Sequence, residues 1–208
     1  MRRSLIFWVI LAAAMLQANT TKIDFENEPL AHAPKGWVCH SQWKVQADPS
    51  APSGTHVLTM VRGSTGFFGF GRVFNTCYDP KLQFLDGTIS VHFRALSGRI
   101  DQGGGIMWRV RDADNYYIVR YNPLENNFTF YKVVAGERIE LADREGLHLS
   151  PGWHEMSISQ HGALFTGFLD GKKILEKRDD SFPTAGAVGL WTKTDAVTSF
   201  DDLQIDTQ

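Results

Sequence analysis

The chain has 208 residues and a formal net charge of −2, with 21 Lys and Arg against 23 Asp and Glu. Charges of both signs are spread along the chain, and no basic run marks a nucleic-acid or anionic-membrane partner. Six Trp, fourteen Phe and nineteen Gly favour a β-rich fold with many turns.

The first eighteen residues have the pattern of a secretory signal. Two arginines precede the apolar run Leu5–Leu16, and the small residue Ala18 follows, as in a signal cleaved after that residue. The run is too short for a bilayer core of ~30 Å, which needs about 20 residues, so an uncleaved anchor is the weaker alternative. We therefore predict a periplasmic or secreted protein with a signal at 1–18, one domain at 19–208 and no membrane span after signal removal.

Cys39 and Cys77 are the two cysteines of the chain. In an oxidising compartment such a pair can form a disulfide, which would stabilise the fold by roughly 4 kcal/mol in the chain-entropy model. Because two residues offer no spacing pattern, two separate buried thiols are the alternative.

Apolar and polar residues alternate with period two along the chain, and helical periodicity is almost absent. In Thr88–Leu96 the odd-numbered positions are apolar, which predicts one packed and one solvated face. The pair Asp170-Gly171 is the strongest hairpin signal. Many short strands separated by turns predict a sandwich or jelly roll. The predicted strands are Trp43–Ala47, His56–Arg62, Thr88–Leu96, Ile106–Arg111, Tyr116–Asn122, Phe128–Val134, Trp153–Gln160, Leu164–Leu169, Ala187–Thr192 and Ser199–Ile205.

Catalytic motifs are missing. Glucanases built on such sandwiches use an E-x-D-x-E strand whose two glutamates act as nucleophile and general acid, and the nearest match, Lys22–Glu26, begins with lysine. The G-x-S-x-G and H-E-x-x-H patterns are absent. His154 beside Glu155 is explained more simply as an ordinary strand residue than as a base.

The turn Asp112–Asn115 suggests calcium binding, but an EF-hand loop would need glycine and glutamate where this chain has Tyr117 and Pro123. Asx residues that close a hairpin turn explain the segment better. We therefore predict no metal site and no cofactor, with Ca²⁺ on other loop carboxylates, such as Asp101 or Asp195, as an unsupported alternative.

Residues 103–132 contain the densest set of candidate ligand groups. Saccharides are bound by flat aromatic surfaces together with planar polar groups that hold paired hydroxyls. Arg120 and Asn122 share one face of the predicted strand Tyr116–Asn122, and a strand rarely buries two such residues without a partner. Trp108 alternates with apolar neighbours, so we predict a core position for it. The predicted ligand-binding residues are Arg109, Arg120, Asn122, Glu125, Asn126 and Trp191.

Residues 43–58, 103–133, 151–159 and 168–203 resemble bacterial secreted domains of the concanavalin A-like lectin/glucanase superfamily. More narrowly, they are similar to the laminin-G-like, 3-keto-disaccharide-hydrolase-type domain. The resemblance implies an all-β, two-sheet antiparallel jelly-roll sandwich with a concave face and exported, carbohydrate-handling relatives. Some of these relatives hydrolyse 3-keto-glycosides, but the acidic strand of family 16 glycoside hydrolases is missing here.

The leading hypothesis is therefore an exported domain that binds a saccharide on its concave face. The alternative is a 3-keto-glycoside hydrolase-type enzyme in which Glu125 or Asp195 acts as a base. A 3-keto group acidifies the adjacent C–H, so one base and one group that polarises the ketone would suffice. A third possibility is a laminin-G-like adhesion module that binds protein.

Overall fold

The computed structural model describes residues 19–63 and 73–208, and the regular elements in these ranges are all β-strands. The predicted all-β class is confirmed. The predicted signal at 1–18 lies outside the described residues. Within the described ranges, no helix is long and apolar enough to cross a membrane.

The strands form two antiparallel sheets, as in the predicted jelly-roll sandwich. The strands are β1 Asn19–Ile23, β2 Val38–Cys39, β3 Gln42–Ala47, β4 His56–Arg62, β5 Phe74–Phe84, β6 Gly87–Ser97, β7 Gly104–Asp112, β8 Asn115–Asn122, β9 Asn127–Val134, β10 Glu137–Arg144, β11 His154–His161, β12 Leu164–Leu169, β13 Lys172–Arg178, β14 Gly186–Lys193 and β15 Val197–Thr207. The eight-stranded sheet has the order β13-β12-β11-β6-β15-β4-β3, with β1 also paired to β15. The seven-stranded sheet has the order β10-β9-β8-β7-β14-β5-β2.

The ten predicted strands are all present, with ends that differ by about two residues or fewer. Asp170 and Gly171 join β12 to β13 with φ angles of 48° and 72°, as a type I′ hairpin requires. The alternation of apolar and polar residues does not predict β5. Pro80, which has no N–H to donate to a neighbouring strand, lies within this strand, and its register against β14 shifts between Asp79 and Gln83. The alternation also misses β10, a charged edge strand with little apolar alternation.

The main core lies between the two sheets. The apolar face predicted for β6 is buried there and includes Ile89, Val91 and Phe93. On β8, Tyr117 packs into this core, while Ile118 is buried in a second apolar cluster on the opposite face of the same strand. Burial on both faces confirms the central place predicted for this strand and explains why alternation alone does not orient it.

Trp108 belongs to the main core, as its alternation predicts. Its indole N–H donates to Gln160 Oε1 at 2.9 Å. Its ring centroid lies 5.4 Å from that of Tyr117 and 5.6 Å from that of Phe165. Since the ring is fully buried and its donor is satisfied, Trp108 is part of the scaffold.

A disulfide joins Cys39 on β2 to Cys77 on β5, where the two residues are paired in antiparallel register. Cys77 is fully buried in the main core. The strand β2 has two residues, so the disulfide provides much of its attachment to the edge of the seven-stranded sheet.

Asp201 on β15 is a buried carboxyl that should make stability depend on pH. Burial raises its pKa, N–H groups of Asp202 and Ser53 oppose the rise, and the charges of Asp202 and Glu26 add to it, giving a pKa of about 6. The unfolded value is about 3.9, so the folded state holds the proton more tightly. The resulting stabilisation is complete below about pH 4 and is lost as the pH rises through about 6.

We expect the free energy of unfolding of the wild type, relative to that of Asp201→Asn, to fall by about 1–3 kcal/mol between about pH 4 and pH 7. The asparagine variant keeps a neutral side chain at all pH values and serves as the reference for the other titrating groups. Urea unfolding of both proteins across this range measures the difference. Parallel pH profiles of the two proteins would contradict the assignment of this pH dependence to Asp201.

Candidate functional site

The outer face of the seven-stranded sheet is strongly concave. Five strand spacings separate β10 from β5, which amounts to about 24 Å in a flat sheet. The Arg138 guanidinium on β10 nevertheless lies 5.9 Å from the Phe74 ring on β5 and 6.0 Å from the Trp191 ring on β14. The two sides of the sheet therefore approach each other over a channel. We call this channel the trough; it is formed by the outward side chains of β5, β14, β7, β8, β9 and β10.

One register row crosses the floor of the trough. Pairing across six neighbouring strands aligns Thr76, Trp191, Gly105, Arg120, Thr129 and Asp143. Because successive residues of a strand alternate between faces, Asn122 lies on the same face as Arg120. The shared face predicted for these two residues therefore belongs to the concave side of the sheet.

Asp101 is the centre of a buried polar network at the trough. Its carboxylate accepts hydrogen bonds from Asn122 Nδ2 at 2.9 Å and from Lys193 Nζ, and it lies 3.5 Å from Arg120 Nη1. Asp101 and Arg120 are each 2% exposed. Since these charges are removed from water, each depends on its partners for stabilisation.

Glu125 and Tyr131 complete the surroundings of the arginine. Arg120 Nη2 donates to Glu125 Oε2 at 2.6 Å and to Tyr131 Oη at 3.1 Å. Burial would lower the pKa of Arg120, but Tyr131 and the two carboxylates, Asp101 and Glu125, raise it above its usual value. Burial raises the pKa of Glu125, and the charge and hydrogen bond of Arg120 outweigh this and hold it below its usual value. A carboxylate held in this way is a weak proton acceptor at neutral pH.

Asn126 lies in the turn that follows Asn122, and both residues form hydrogen bonds with backbone N–H groups at or near this turn. Asn126 has a φ of 51°, in the left-handed region that asparagine tolerates, and its carbonyl accepts the Leu147 N–H at 2.8 Å. Asn122 Oδ1 accepts the Leu124 N–H at 2.9 Å. Within the described ranges, no side-chain hydrogen bond links Asn126 to the network around Asp101.

Asp195 closes a loop beside the network. Its carboxylate accepts backbone N–H groups from Arg99 at 2.8 Å, Ile100 at 3.1 Å and Asp101 at 2.9 Å. Burial raises the pKa of this carboxyl, but the backbone N–H groups outweigh burial and hold the pKa below its usual value. The residue therefore positions Asp101 through the loop, and its carboxylate is poorly suited to accept a proton.

Arg109 is not brought together with the other predicted ligand residues. It has a φ of 47° where the register between β7 and β8 shifts, and this bulge re-aims its side chain. Its guanidinium donates to the backbone carbonyls of Leu85 at 2.8 Å, Phe182 at 2.8 Å and Gly162 at 3.0 Å. Arg109 is 1% exposed, and its hydrogen bonds hold these loops together at one end of the sandwich.

Six buried polar atoms on the concave face have no hydrogen-bond partner in the part of the chain that the structure describes. They are Thr76 Oγ1, Arg120 Nε, Asn127 Oδ1, Arg138 Nη1, Trp191 Nε1 and Tyr116 Oη. The last two lie near each other without reaching hydrogen-bond geometry. A buried polar group without a partner costs about 1–3 kcal/mol, and native proteins contain few of them. A ligand with hydroxyl groups, which both donate and accept hydrogen bonds, would satisfy those that it reaches.

A cleft of about 570 Å³ adjoins the trough. Phe74 and Thr76 of β5 line it together with Glu137 and Arg138 of β10 and the turn residue Asp114. Its volume lies in the range of small-molecule sites, roughly 300–1,000 Å³. The guanidinium of Arg138 therefore borders a space large enough for a small ligand.

The described residues contain no group of three His, Cys, Asp or Glu side chains placed to hold a metal ion. The Asp112 carboxylate accepts the Asp114 N–H at 2.8 Å, which is the turn geometry expected from the sequence. His154 is held at both ring nitrogens, by Asp170 at 2.7 Å and by the Ser150 carbonyl at 2.8 Å. Its neighbours thus fix it within the scaffold.

Sequence reasoning missed four members of the site: Asp101, Tyr131, Arg138 and Lys193. Tyr131 is on the same face as Thr129 in a strand paired with β8, so strand pairing would have found it. Arg138 reaches the trough only because the sheet curves, and Lys193 reaches Asp101 from β14. The alternation of apolar and polar residues along a strand does not predict either of these two contacts.

No protein-family model and no curated protein matches the chain, whereas solved structures do. The carbohydrate binding module CBM66 from Bacillus subtilis matches with a TM-score of 0.65 at 17% identity, over 81% of this chain and 94% of that one. A GH16 protein from Bacteroides ovatus matches with a TM-score of 0.61 at 9% identity, over 89% and 99%. A galectin-like protein from Bacillus subtilis matches with a TM-score of 0.57 at 14% identity, over 84% and 91%.

These neighbours are concanavalin A-like and galectin-like sandwiches, so the class of fold that the resemblance implied is confirmed. Identities this low show the fold alone. The narrower 3-keto-disaccharide-hydrolase type remains a prediction from sequence.

Proposed function

We propose that the chain is an exported protein that binds a saccharide in the trough. The observation that carries this proposal is the concave face itself, where polar atoms without partners lie beside a cleft that is lined by the half-buried ring of Phe74. Polar groups that fix a sugar's hydroxyls and rings that cover its C–H face are the two components of such a site. The neighbouring folds include a carbohydrate binding module and glycoside hydrolases, which supports the same class of ligand.

Export is supported by two independent features. The disulfide between Cys39 and Cys77 is typical of oxidising compartments. Residues 1–18 have the charge and hydropathy pattern of a secretory signal. Both features favour the periplasm or the exterior, where polysaccharides and their fragments are accessible.

Glycan-array screening followed by calorimetry tests the proposal. We expect a saccharide whose affinity falls at least tenfold in Arg120→Ala, a loss of about 1.4 kcal/mol, because Arg120 contributes the guanidinium on the trough floor. Arg111→Ala is the matched control, since Arg111 is an exposed arginine of the neighbouring strand β7 that faces Thr184. Thermal unfolding establishes that both variants are folded. Equal affinity in Arg120→Ala, or no binding by any glycan in a broad screen, would contradict the proposal.

The single-base enzyme has less support from the geometry. The Glu125 carboxylate is paired with Arg120 at 2.6 Å, and the Asp195 carboxylate accepts three backbone N–H groups. Both have pKa values below the usual value, whereas a general base works best with a pKa near the operating pH. A binding function needs no such proton acceptor, and we therefore prefer it.

A further inference from the structure

Arg138 differs from the other two cations of the trough, Arg120 and Lys193, because it forms no ion pair within the described ranges. Arg120 is paired with Asp101 and Glu125, and Lys193 is paired with Asp101. Arg138 is a further cation on the same face, and no carboxylate in the described ranges forms an ion pair with it. The third carboxylate of the trough floor, Asp143, accepts hydrogen bonds from Asn127 Nδ2 and Thr129 Oγ1. The cation without an ion pair is therefore the one that borders the cleft.

The guanidinium of Arg138 is already oriented for a ligand. Its Cζ lies 4.2 Å from the centroid of the Tyr131 ring, so the ring covers one side of the planar group. A guanidinium that stacks by its face keeps its N–H groups in the plane available for a bidentate contact. One of them, Nη1, is buried without a partner. Burial lowers the pKa of Arg138 and the charge of Arg120 adds to this, while Tyr131, Asp101 and Glu125 oppose the fall only in part.

We propose that the saccharide is anionic and carries a carboxylate, as in a uronic acid unit, and that Arg138 binds this carboxylate. The inference rests on the proposed saccharide site. A neutral hydroxyl would give Arg138 an acceptor but no counter-charge. A carboxylate supplies both, and its two oxygens match the planar donors of the guanidinium. Asp114 and Glu137 also line the cleft, so the carboxylate belongs at the trough end, beside Tyr131, and neutral parts of the sugar extend into the cleft.

Calorimetry with oligogalacturonate and with alginate-derived oligouronates tests the inference against the same oligosaccharides after reduction of their carboxyl groups to alcohols. Linkage and ring shape are then matched, and only the charge differs. We expect at least one acid form to bind tenfold or more tightly than its reduced form. Arg138→Gln should reduce this ratio to about one, and Arg138→Lys should keep part of it, because lysine retains the charge but not the planar donors.

Arg144→Gln is the control variant, because Arg144 is an exposed residue of the same strand whose register places it on the opposite sheet face; it should leave the ratio unchanged. Equal binding of acid and reduced forms, or binding of sulfated sugars alone, would overturn the carboxylate inference. If neutral saccharides bind and Arg120→Ala weakens them, the inference fails and the proposed function stands. If no saccharide of any charge binds, both fail.

Discussion

Asp101→Ala is expected to lower the free energy of unfolding by about 3–5 kcal/mol, the cost of breaking a buried ion pair by removing one partner. The carboxylate is the shared acceptor for Asn122 Nδ2 and Lys193 Nζ and the counter-charge of Arg120 Nη1. At 2% exposure water cannot replace it. The variant therefore leaves Lys193 and the Asn122 amide without this acceptor, and Arg120 keeps Glu125 as its counter-charge.

Urea unfolding of Asp101→Ala is compared with that of Asp101→Asn and Asp180→Ala. The comparison separates the contribution of the buried charge from the effect of removing an aspartate in general. Asparagine keeps the shape and one acceptor oxygen but loses the charge. The free energy of unfolding of Asp101→Asn should therefore lie between those of the wild type and of Asp101→Ala. Asp180 is an exposed aspartate, and its substitution should change stability by no more than about 0.5 kcal/mol. A loss below about 1 kcal/mol in Asp101→Ala would show that the network is not the buried, mutually dependent unit described above.

The sequence predicts the sandwich because its local signals agree with its packing. Alternation gives the strands, and a pair such as Asp170-Gly171 gives a hairpin whose φ angles only certain residues adopt. The predicted faces of β6 follow from the same alternation. Charged β10 and bulged β5 are missed because their places in the sheet are set by neighbouring strands and not by their own pattern.

The site is predicted in part, and the reason is geometric. Arg120 and Asn122 lie two residues apart on one strand, so a local rule finds them together. Asp101 reaches them from a loop, and Arg138 reaches the trough only through the curvature of the whole sheet. Arg109 shows the converse: alternation places it on the face of Met107, but a bulge with positive φ turns its side chain toward the loops.

The second large effect on stability is expected from loss of the disulfide between Cys39 and Cys77. Its sequence separation of 38 residues corresponds to roughly 4 kcal/mol of stabilisation, because the crosslink removes loop-closure entropy from the unfolded chain. For a chain of this size, such a change lowers the Tm by about 8–16 °C. Calorimetric scans with and without a phosphine reductant should show this drop.

The double variant Cys39→Ala/Cys77→Ala tells the crosslink apart from a general effect of the reductant. It should unfold at a lower temperature than the oxidised wild type, and its Tm should not respond to reductant. It should also lose some packing, since Cys77 is fully buried in the main core. If reductant left the wild-type Tm unchanged while thiol labelling confirmed cleavage of the bond, β2 would be held to the sheet by its backbone pairing with β5 and not by the crosslink.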